Sequence, residues 1–280
     1  MYRDLETLVR DAVAEDIGQG DVTTNTTVPQ DARCRAVLFA KTDGILSGIR
    51  AFRLVFAYLD AQMTDWHALD DGAGFVCGDE VAAFEANARA VLTGERTALN
   101  FIQRLSGIAT LTHRFKDAVK GLDVRICNTR KTTPLLRCLE KQAVLDGGGS
   151  NHRYALFDGV LIKENHITAA GGVGEAIRKA RAGAHHLLKI GVEVTSLDEF
   201  DEAVAAGADS IMLDNMTLEE VREAVRRAQG RGVTLEASGN VTLERVRQIA
   251  ETGVHIISVG ALTHSAQAVD LSLRIRNVRI

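Results

Sequence analysis

From Val124 onward the chain repeats one pattern, a short apolar run, a polar loop and an amphipathic helix, and this repeat limits the fold more than any other feature. The strand candidates are Val124–Cys127, Gly159–Ile162, His186–Val194, Ser210–Leu213, Thr234–Ala237 and His255–Val259. Helical segments between them include Val173–Arg181, Leu197–Ala206, Leu218–Ala228 and Leu243–Glu251. Parallel strands need long crossovers, and helices supply them, so the pattern predicts a parallel sheet covered by helices. About six such units close into an α/β barrel. An open doubly wound sheet is the competing topology, although no Gly-x-Gly-x-x-Gly follows the first strand to make it a dinucleotide-binding one.

The upstream rhythm is different. Leu5, Leu8, Val9, Ala12 and Val13 fall on one face of a short helix over Leu5–Ala14. The stretch Glu15–Thr24 reads as a polar turn, and Cys34–Ala40 alternates like a strand, with Gly44 and Gly48 marking turns. Gly94-Glu95-Arg96 opens a long helix that carries Ala98, Leu99, Ile102, Leu105, Ile108 and Leu111 at helical spacing. With 25 Gly, only 2 Pro and 5% aromatic residues, the chain suits an Ala/Val/Leu-rich α/β protein better than an all-β sandwich. The expected division is a small α+β N-terminal domain over 1–107, a barrel domain over 108–268, and a C-terminal segment, 269–280, that packs back on the first domain.

The formal net charge of −4 offers no general attraction for nucleic acid or an anionic membrane, so an anion site needs local clustering. Cys34, Cys77, Cys127 and Cys138 form no CxxC pair and fit neither a zinc module nor a disulfide framework, which points to reduced thiols. The start, Met1-Tyr2-Arg3-Asp4-Leu5-Glu6, has no apolar signal region, and no run reaches membrane-spanning length; a cytoplasmic protein is expected.

In a barrel the chemistry sits at the strand ends. Here these ends carry Arg130 and Lys131, then His152 and Arg153, then Lys163, Glu193, Asp214, Ser238-Gly239 and finally Gly260 and His264. Converging guanidinium forks suit a ligand with several carboxylates. Two carboxylates, Glu193 and Asp214, suit Mg²⁺, which takes few protein ligands and fills its shell with phosphate and water. Glycine turns present backbone N–H groups to a phosphate. Singly, each feature has a plainer reading: Arg130-Lys131 as a solvated turn, Glu193 or Asp214 as a cap, Lys163 as a snorkelling side chain. The adjacent His185 and His186 point to opposite faces if they lie on a strand, and carry no function together. The ordered set at successive ends is what points to a compact polycarboxylate plus a phosphorylated, metal-bound partner.

Several stretches resemble the quinolinate phosphoribosyltransferase family: Glu15–Thr24, Gly94–Leu105, Thr129–Pro134, Gly147–Arg153, Asp158–Ile167, Ile211–Met216 and Leu235–Leu273. The most specific are Thr129-Arg130-Lys131-Thr132-Thr133-Pro134 and Gly147-Gly148-Gly149-Ser150-Asn151-His152-Arg153. The resemblance implies an incomplete (open) α/β barrel behind an α+β domain. It also implies a homodimer, or a hexamer as a trimer of dimers, in which the partner completes each barrel mouth. It assigns quinolinate to Arg96 (supplied across the dimer interface), Arg130, His152, Arg153 and Lys163, and places Lys131 at the reacting centre. Glu193 and Asp214 meet the ribose and Mg²⁺ of phosphoribosyl pyrophosphate, and Ser238, Gly239, Gly260 and His264 bind its phosphate.

Four positions depart from the family pattern: Asn128 stands for Asp, Leu135 for Gly, Gly191 for Glu and Asn240 for Gly. None removes a cation. The implied reaction joins quinolinate to phosphoribosyl pyrophosphate, giving nicotinate mononucleotide, pyrophosphate and CO₂ for NAD biosynthesis. The alternatives are a non-catalytic or altered-specificity paralogue that binds a related pyridine carboxylate, and a lyase that forms a Schiff base on Lys163.

Overall fold

The computed structural model describes residues 4–280, so Met1, Tyr2 and Arg3 of the N-terminal segment lie outside the described residues. Its contacts divide the chain into two compact units. One gathers the residues up to Leu111 together with Thr133–Gly148 and Ser265–Ile280; the other gathers Thr112–Thr132 and Gly149–His264.

The first unit begins with helices α1 (Leu5–Ile17), α2 (Val22–Thr27) and α3 (Ile49–Leu59) and strands β1 (Arg33–Ala40), β2 (Gly44–Ile45), β3 (Thr64–Ala68), β4 (Gly74–Phe75) and β5 (Glu80–Asn87). The stretch read as a turn thus yields a helix. The Asp21 carboxylate accepts from the Thr24 N–H at 2.9 Å, an N-cap that outweighs the poor helix propensity of the Val/Thr run. Strand β1 pairs antiparallel with β5, which pairs with β3. The inward face of this sheet buries Cys34, Ala36, Leu38, Phe84 and Ala86 against Phe52 and Phe56 of α3. The Phe56 and Phe84 rings are 4.8 Å apart, and each such ring contributes roughly 1.5–3 kcal/mol of burial.

Helix α4 spans Ala88–Ala118. It starts before the expected Gly94, because Gly94 is a packing position and not a breaker. A Cβ there would meet Leu59 Cδ1 at 2.8 Å and Val55 Cγ1 at 3.0 Å, so glycine is what lets α3 and α4 approach.

Next come β6 (Arg125–Cys127), α5 (Arg137–Asp146), β7 (Val160–Ile162), α6 (Glu164–Ala170), α7 (Val173–Gly183), β8 (Ile190–Val194) and α8 (Leu197–Ala205). The chain continues with β9 (Ser210–Asp214), α9 (Leu218–Ala228), β10 (Thr234–Ser238), α10 (Leu243–Ala250), β11 (Ile256–Ser258), α11 (Ala261–His264) and β12 (Leu271–Arg279). Strand β12 adds to the first unit's sheet, antiparallel to β1. Strand β8 begins at Ile190, not His186: His185 and His186 lie in the loop after α7, so the opposite-faces argument does not apply to them.

The second unit holds a six-stranded parallel sheet in the order β6-β11-β10-β9-β8-β7. From β7 to β11 each strand lies beside its predecessor, as successive crossovers that all run in one direction require. A doubly wound sheet would reverse direction part-way, so that topology is excluded. The ends β6 and β7 do not pair with each other, and the barrel stays open between them. The free edge of β6 is met by Ser150 instead: the Ser150 N–H donates to Ile126 O at 2.8 Å, and the Asn128 N–H donates to Ser150 O at 3.2 Å. Among the described residues, no helix is long and apolar enough to cross a membrane.

Candidate active site

Side chains alternate along each parallel strand, so every second residue faces the barrel interior. The inward residues include Cys127, Leu161, Met212, Glu236 and Ile256; above them, at the C-terminal strand ends, come Lys163, Glu193, Asp214, Ser238 and Gly260. The upper set borders a cavity of about 780 Å³. Arg130, Lys131, His152, Arg153, Lys163, Glu193, Asp214, Ser238, Gly239, Gly260 and His264 all line it. Arg96 does not. It sits exposed on α4 in the first unit.

One side of the cavity is cationic. Strand β6 ends at Cys127, and the following loop turns at Thr129, whose Oγ1 accepts from the Lys131 N–H at 3.1 Å. The Lys131 carbonyl accepts from Thr263 Oγ1 at 2.8 Å, which ties this loop to α11. Asn128 is fully buried between the β6 end and the neighbouring segment: its Nδ2 donates to Asn151 Oδ1, and its Oδ1 accepts from the His152 N–H at 3.2 Å. The amide thus supplies one donor and one acceptor where a carboxylate supplies acceptors only. Arg153 donates from Nη1 to Gly159 O at 2.9 Å, and the loop beyond it closes on Asp158, which accepts from the Tyr154 and Ala155 N–H groups. Burial, and then the neighbouring Arg130 guanidinium, hold the Arg153 pKa below the ordinary arginine value. Among the described residues, the buried Arg130 Nε has no hydrogen-bond partner. Two guanidiniums pressed together with an unused donor make a site that demands an anion.

The other side carries the acids and the glycine turns. Glu193 ends up beside Lys163, whose Nζ donates to Glu193 Oε2. That ion pair is the reverse of the desolvated, unpartnered amine that Schiff-base chemistry uses. Asp214 accepts from Asn215 Nδ2 at 2.9 Å. Gly239 has φ +92°, and a Cβ there would fall 2.2 Å from Asn215 Oδ1, so only glycine allows this turn to close on the strand end before it. Asn240, next in the chain, has φ +47°, and Leu135 has φ +67°. Both stand where the family pattern places Gly, and the left-handed backbone supplies the reason. Asn tolerates that region, whereas Leu carries a strain of about 1–2 kcal/mol there. Gly191 is buried in β8, where a Cβ would meet Val160 O at 3.2 Å.

Sequence reasoning missed one residue of the barrel interior, and singled out another only as a departure from the family pattern. Glu236 is 4% exposed on β10 and faces His152; the buried Asn128 anchors the Asn151–Arg153 segment. The alternation within β10 marks Glu236, since it shares a face with Ser238 and a charged residue there has to point inward. Glu193 and Asp214 border one cavity from adjacent strands, and among the described residues no group of three or more His, Cys, Asp or Glu could enclose an ion. A pair of carboxylates open to a ligand fits Mg²⁺, which keeps several non-protein ligands, better than a metal held in an all-protein cage.

Residues 21–106 match the family model described as quinolinate phosphoribosyl transferase, N-terminal domain, and residues 108–274 match that of the C-terminal domain. The chain is 43% identical over 272 residues to a Bacillus subtilis protein named a probable nicotinate-nucleotide pyrophosphorylase (carboxylating), covering 96% of this chain and 92% of that one. It is 44% identical over 292 residues to the mitochondrial quinolinate phosphoribosyltransferase (decarboxylating) 2b of Nicotiana tabacum, covering 97% of this chain and 82% of that one. The solved structure of the nicotinate-nucleotide pyrophosphorylase from Francisella tularensis superposes with a TM-score of 0.91 at 40% identity, covering 97% and 96% of the two chains.

Proposed function

The chain belongs to the quinolinate phosphoribosyltransferase family, and from that premise we propose how its barrel mouth carries out the family's reaction. The protein is a decarboxylating phosphoribosyltransferase of NAD biosynthesis, a pentosyltransferase that converts quinolinate and phosphoribosyl pyrophosphate to nicotinate mononucleotide, pyrophosphate and CO₂. The observation that carries the assignment of the site is the meeting, in one cavity, of an anion-demanding Arg/Lys side with a carboxylate and Gly/Ser side.

In this reading Arg130, Arg153 and Lys163 grip the two carboxylates of quinolinate, with His152 in the same side of the cavity. Ser238, Gly239, Gly260 and His264 receive the 5′-phosphate, and Lys131 lies between the two substrates. The lone pair of the ring nitrogen forms a bond to C1 of the ribose while the C1–O bond breaks and its electron pair leaves with pyrophosphate. Glu193 and Asp214 stabilise the positive charge that develops on the sugar. The ring is then cationic. The bond from C2 to its carboxylate breaks, the ring keeps the electron pair at C2, CO₂ departs and a proton from solvent takes its place. Glu193 and Asp214 would hold Mg²⁺, which when bound would supply Lewis-acid neutralisation of the leaving group. Most of the rate comes from holding two mutually repelling anions in contact.

Purified protein with Mg²⁺, phosphoribosyl pyrophosphate and either quinolinate or nicotinate tests the activity. Equal amounts of pyrophosphate and CO₂ are expected from quinolinate; turnover of nicotinate alone overturns the substrate. A non-catalytic paralogue would bind both substrates and release neither product.

We further propose a cytoplasmic homodimer, assembling in pairs or as a trimer of dimers, in which Arg96 reaches the partner's cavity. Its exposure on α4, together with its absence from the residues that line the cavity, is what motivates this. Mixing Arg96→Ala with Lys131→Ala protein should restore a substantial part of the activity through hybrid dimers with one intact site. No recovery, with subunit exchange demonstrated, would count against it.

A further inference from the structure

A second cavity, of about 210 Å³, lies inside the barrel beneath the mouth. It shares His152, Arg153, Leu161 and Met212 with the mouth, so its upper end adjoins the residues assigned to the carboxylates of quinolinate. Its lower end is bordered by Arg125, Val160, Ser210 and Ile256, each the first residue of its strand, and by Lys189 just before β8. Arg125 and Lys189 are exposed, so this end faces solvent on the side opposite the mouth. Layers of inward side chains ordinarily fill an α/β barrel. Here Gly191 puts no side chain into the middle of the barrel, and Ser210 puts only a small one below it. A Cβ at 191 would stand 3.2 Å from Val160 O and 3.4 Å from Leu161 Cδ1, so the backbone of β7 disfavours refilling the gap from that position. Cys127, Leu161, Met212 and Ile256 make the wall largely apolar. Glu236 borders it too, with its Oε1 accepting from the Ser258 hydroxyl.

We propose that this inner cavity receives the CO₂ released from quinolinate and leads it to the far side of the barrel, a role that rests on the function proposed above. When the bond from C2 to its carboxylate breaks, the electron pair stays on the ring and the departing CO₂ is neutral. It has lost the charge that the arginines held, and it has no hydrogen to donate. An apolar space therefore suits it better than the cationic grip it leaves. The nucleotide still fills the mouth, from the arginines across to the Ser238 and Gly260 turns. Inward, the way is open. Separation matters because C2 keeps the electron pair that can take CO₂ back until a solvent proton caps it. Moving CO₂ out of reach is what commits the reaction.

Two variants, Ser210→Leu and Ile256→Phe, each fill the cavity from a residue that borders it and not the mouth. Ser210→Ala leaves it open and serves as the control. Xenon, the probe for an apolar cavity, should occupy it in crystals of the wild-type protein under xenon pressure and be absent from a filled variant. Rapid-quench single turnovers with carboxyl-labelled quinolinate then follow pyrophosphate and CO₂ separately. In the filled variants pyrophosphate should appear at the wild-type rate, while CO₂ lags about fivefold or more and both KM values stay within about twofold. Ser210→Ala should match the wild type. The proposal is wrong if the wild-type cavity takes up no xenon, if CO₂ keeps pace with pyrophosphate in the filled variants, or if both products slow alike. Should the wild-type protein release neither product from quinolinate, the function falls, while xenon still decides whether the cavity admits a small apolar gas.

Discussion

Replacing Arg153 by alanine should weaken quinolinate binding roughly 30-fold or more, the consequence of removing one partner from a buried charge pair at about 2–5 kcal/mol. Arg153 is half-buried, and its guanidinium is anchored to Gly159 O at 2.9 Å beside that of Arg130. Like charges held together in a desolvated place are tolerated when an anion completes them, and both burial and Arg130 already press on the Arg153 charge. The gain on binding is correspondingly large. Isothermal titration with quinolinate measures it, and phosphoribosyl pyrophosphate binding should change far less. Arg153→Lys keeps the charge but not the two-pronged grip and should fall between wild type and alanine. Unchanged quinolinate affinity in Arg153→Ala would remove this residue from the site.

Glu140→Ala should cost about 2–3 kcal/mol of stability, the consequence of removing a buried carboxylate that accepts charged and neutral hydrogen bonds from a partly exposed guanidinium and from Thr133. Glu140 is fully buried on α5, and Arg104 of α4 donates to its Oε1 from Nη2 at 2.6 Å and from Nε at 2.9 Å. The same carboxylate accepts from the Thr133 hydroxyl at 2.7 Å and from the Thr133 N–H at 3.1 Å. Alanine leaves the Thr133 N–H without this acceptor and the Arg104 guanidinium without its carboxylate, with the 3.1 Å bond from Nη2 to Thr133 Oγ1 remaining. At roughly 2–4 °C per kcal/mol for a chain of this size, Tm should drop on the order of 10 °C. Joint replacement with apolar residues, Arg104→Met with Glu140→Leu, should recover part of the loss, because no charge is then left stranded. A Glu140→Ala protein that melts within a degree or two of wild type would refute the account. Thr133 closes the Thr129–Thr133 run that carries Arg130 and Lys131, so activity should weaken alongside stability.

The order of cations, acids and glycine turns was readable because a parallel strand–helix repeat tells the reader where every loop of one sense begins. Arg130, Lys163, Glu193, Asp214 and Ser238 could each be placed at such an end from the alternation alone. Glu236 could not be recognised this way. It sits within an apolar strand as one charged letter, and only the cavity below the strand ends shows that its carboxylate meets a histidine more than eighty positions earlier in the chain. The start of α4 was misplaced for a related reason: Gly94 looks like a helix boundary until Val55 and Leu59 are seen to occupy the space its side chain would need. Leu135 and Asn240 were visible as departures from a pattern, but their meaning came from φ.

What the sequence determined by itself was periodic and local. Helix and strand periods, turn residues and the motifs around Thr129–Pro134 and Gly147–Arg153 are properties of neighbouring residues, and they carried the fold class and the chemistry of the mouth. The tertiary structure decided what depends on distant partners. It left the barrel open between β6 and β7, drew Ser150 against the free edge of β6, and matched Glu236 with His152 and Lys163 with Glu193. Periodicity is imposed along the chain by backbone geometry, whereas the pairing of a buried charge is settled only when folding removes water and leaves one partner within reach.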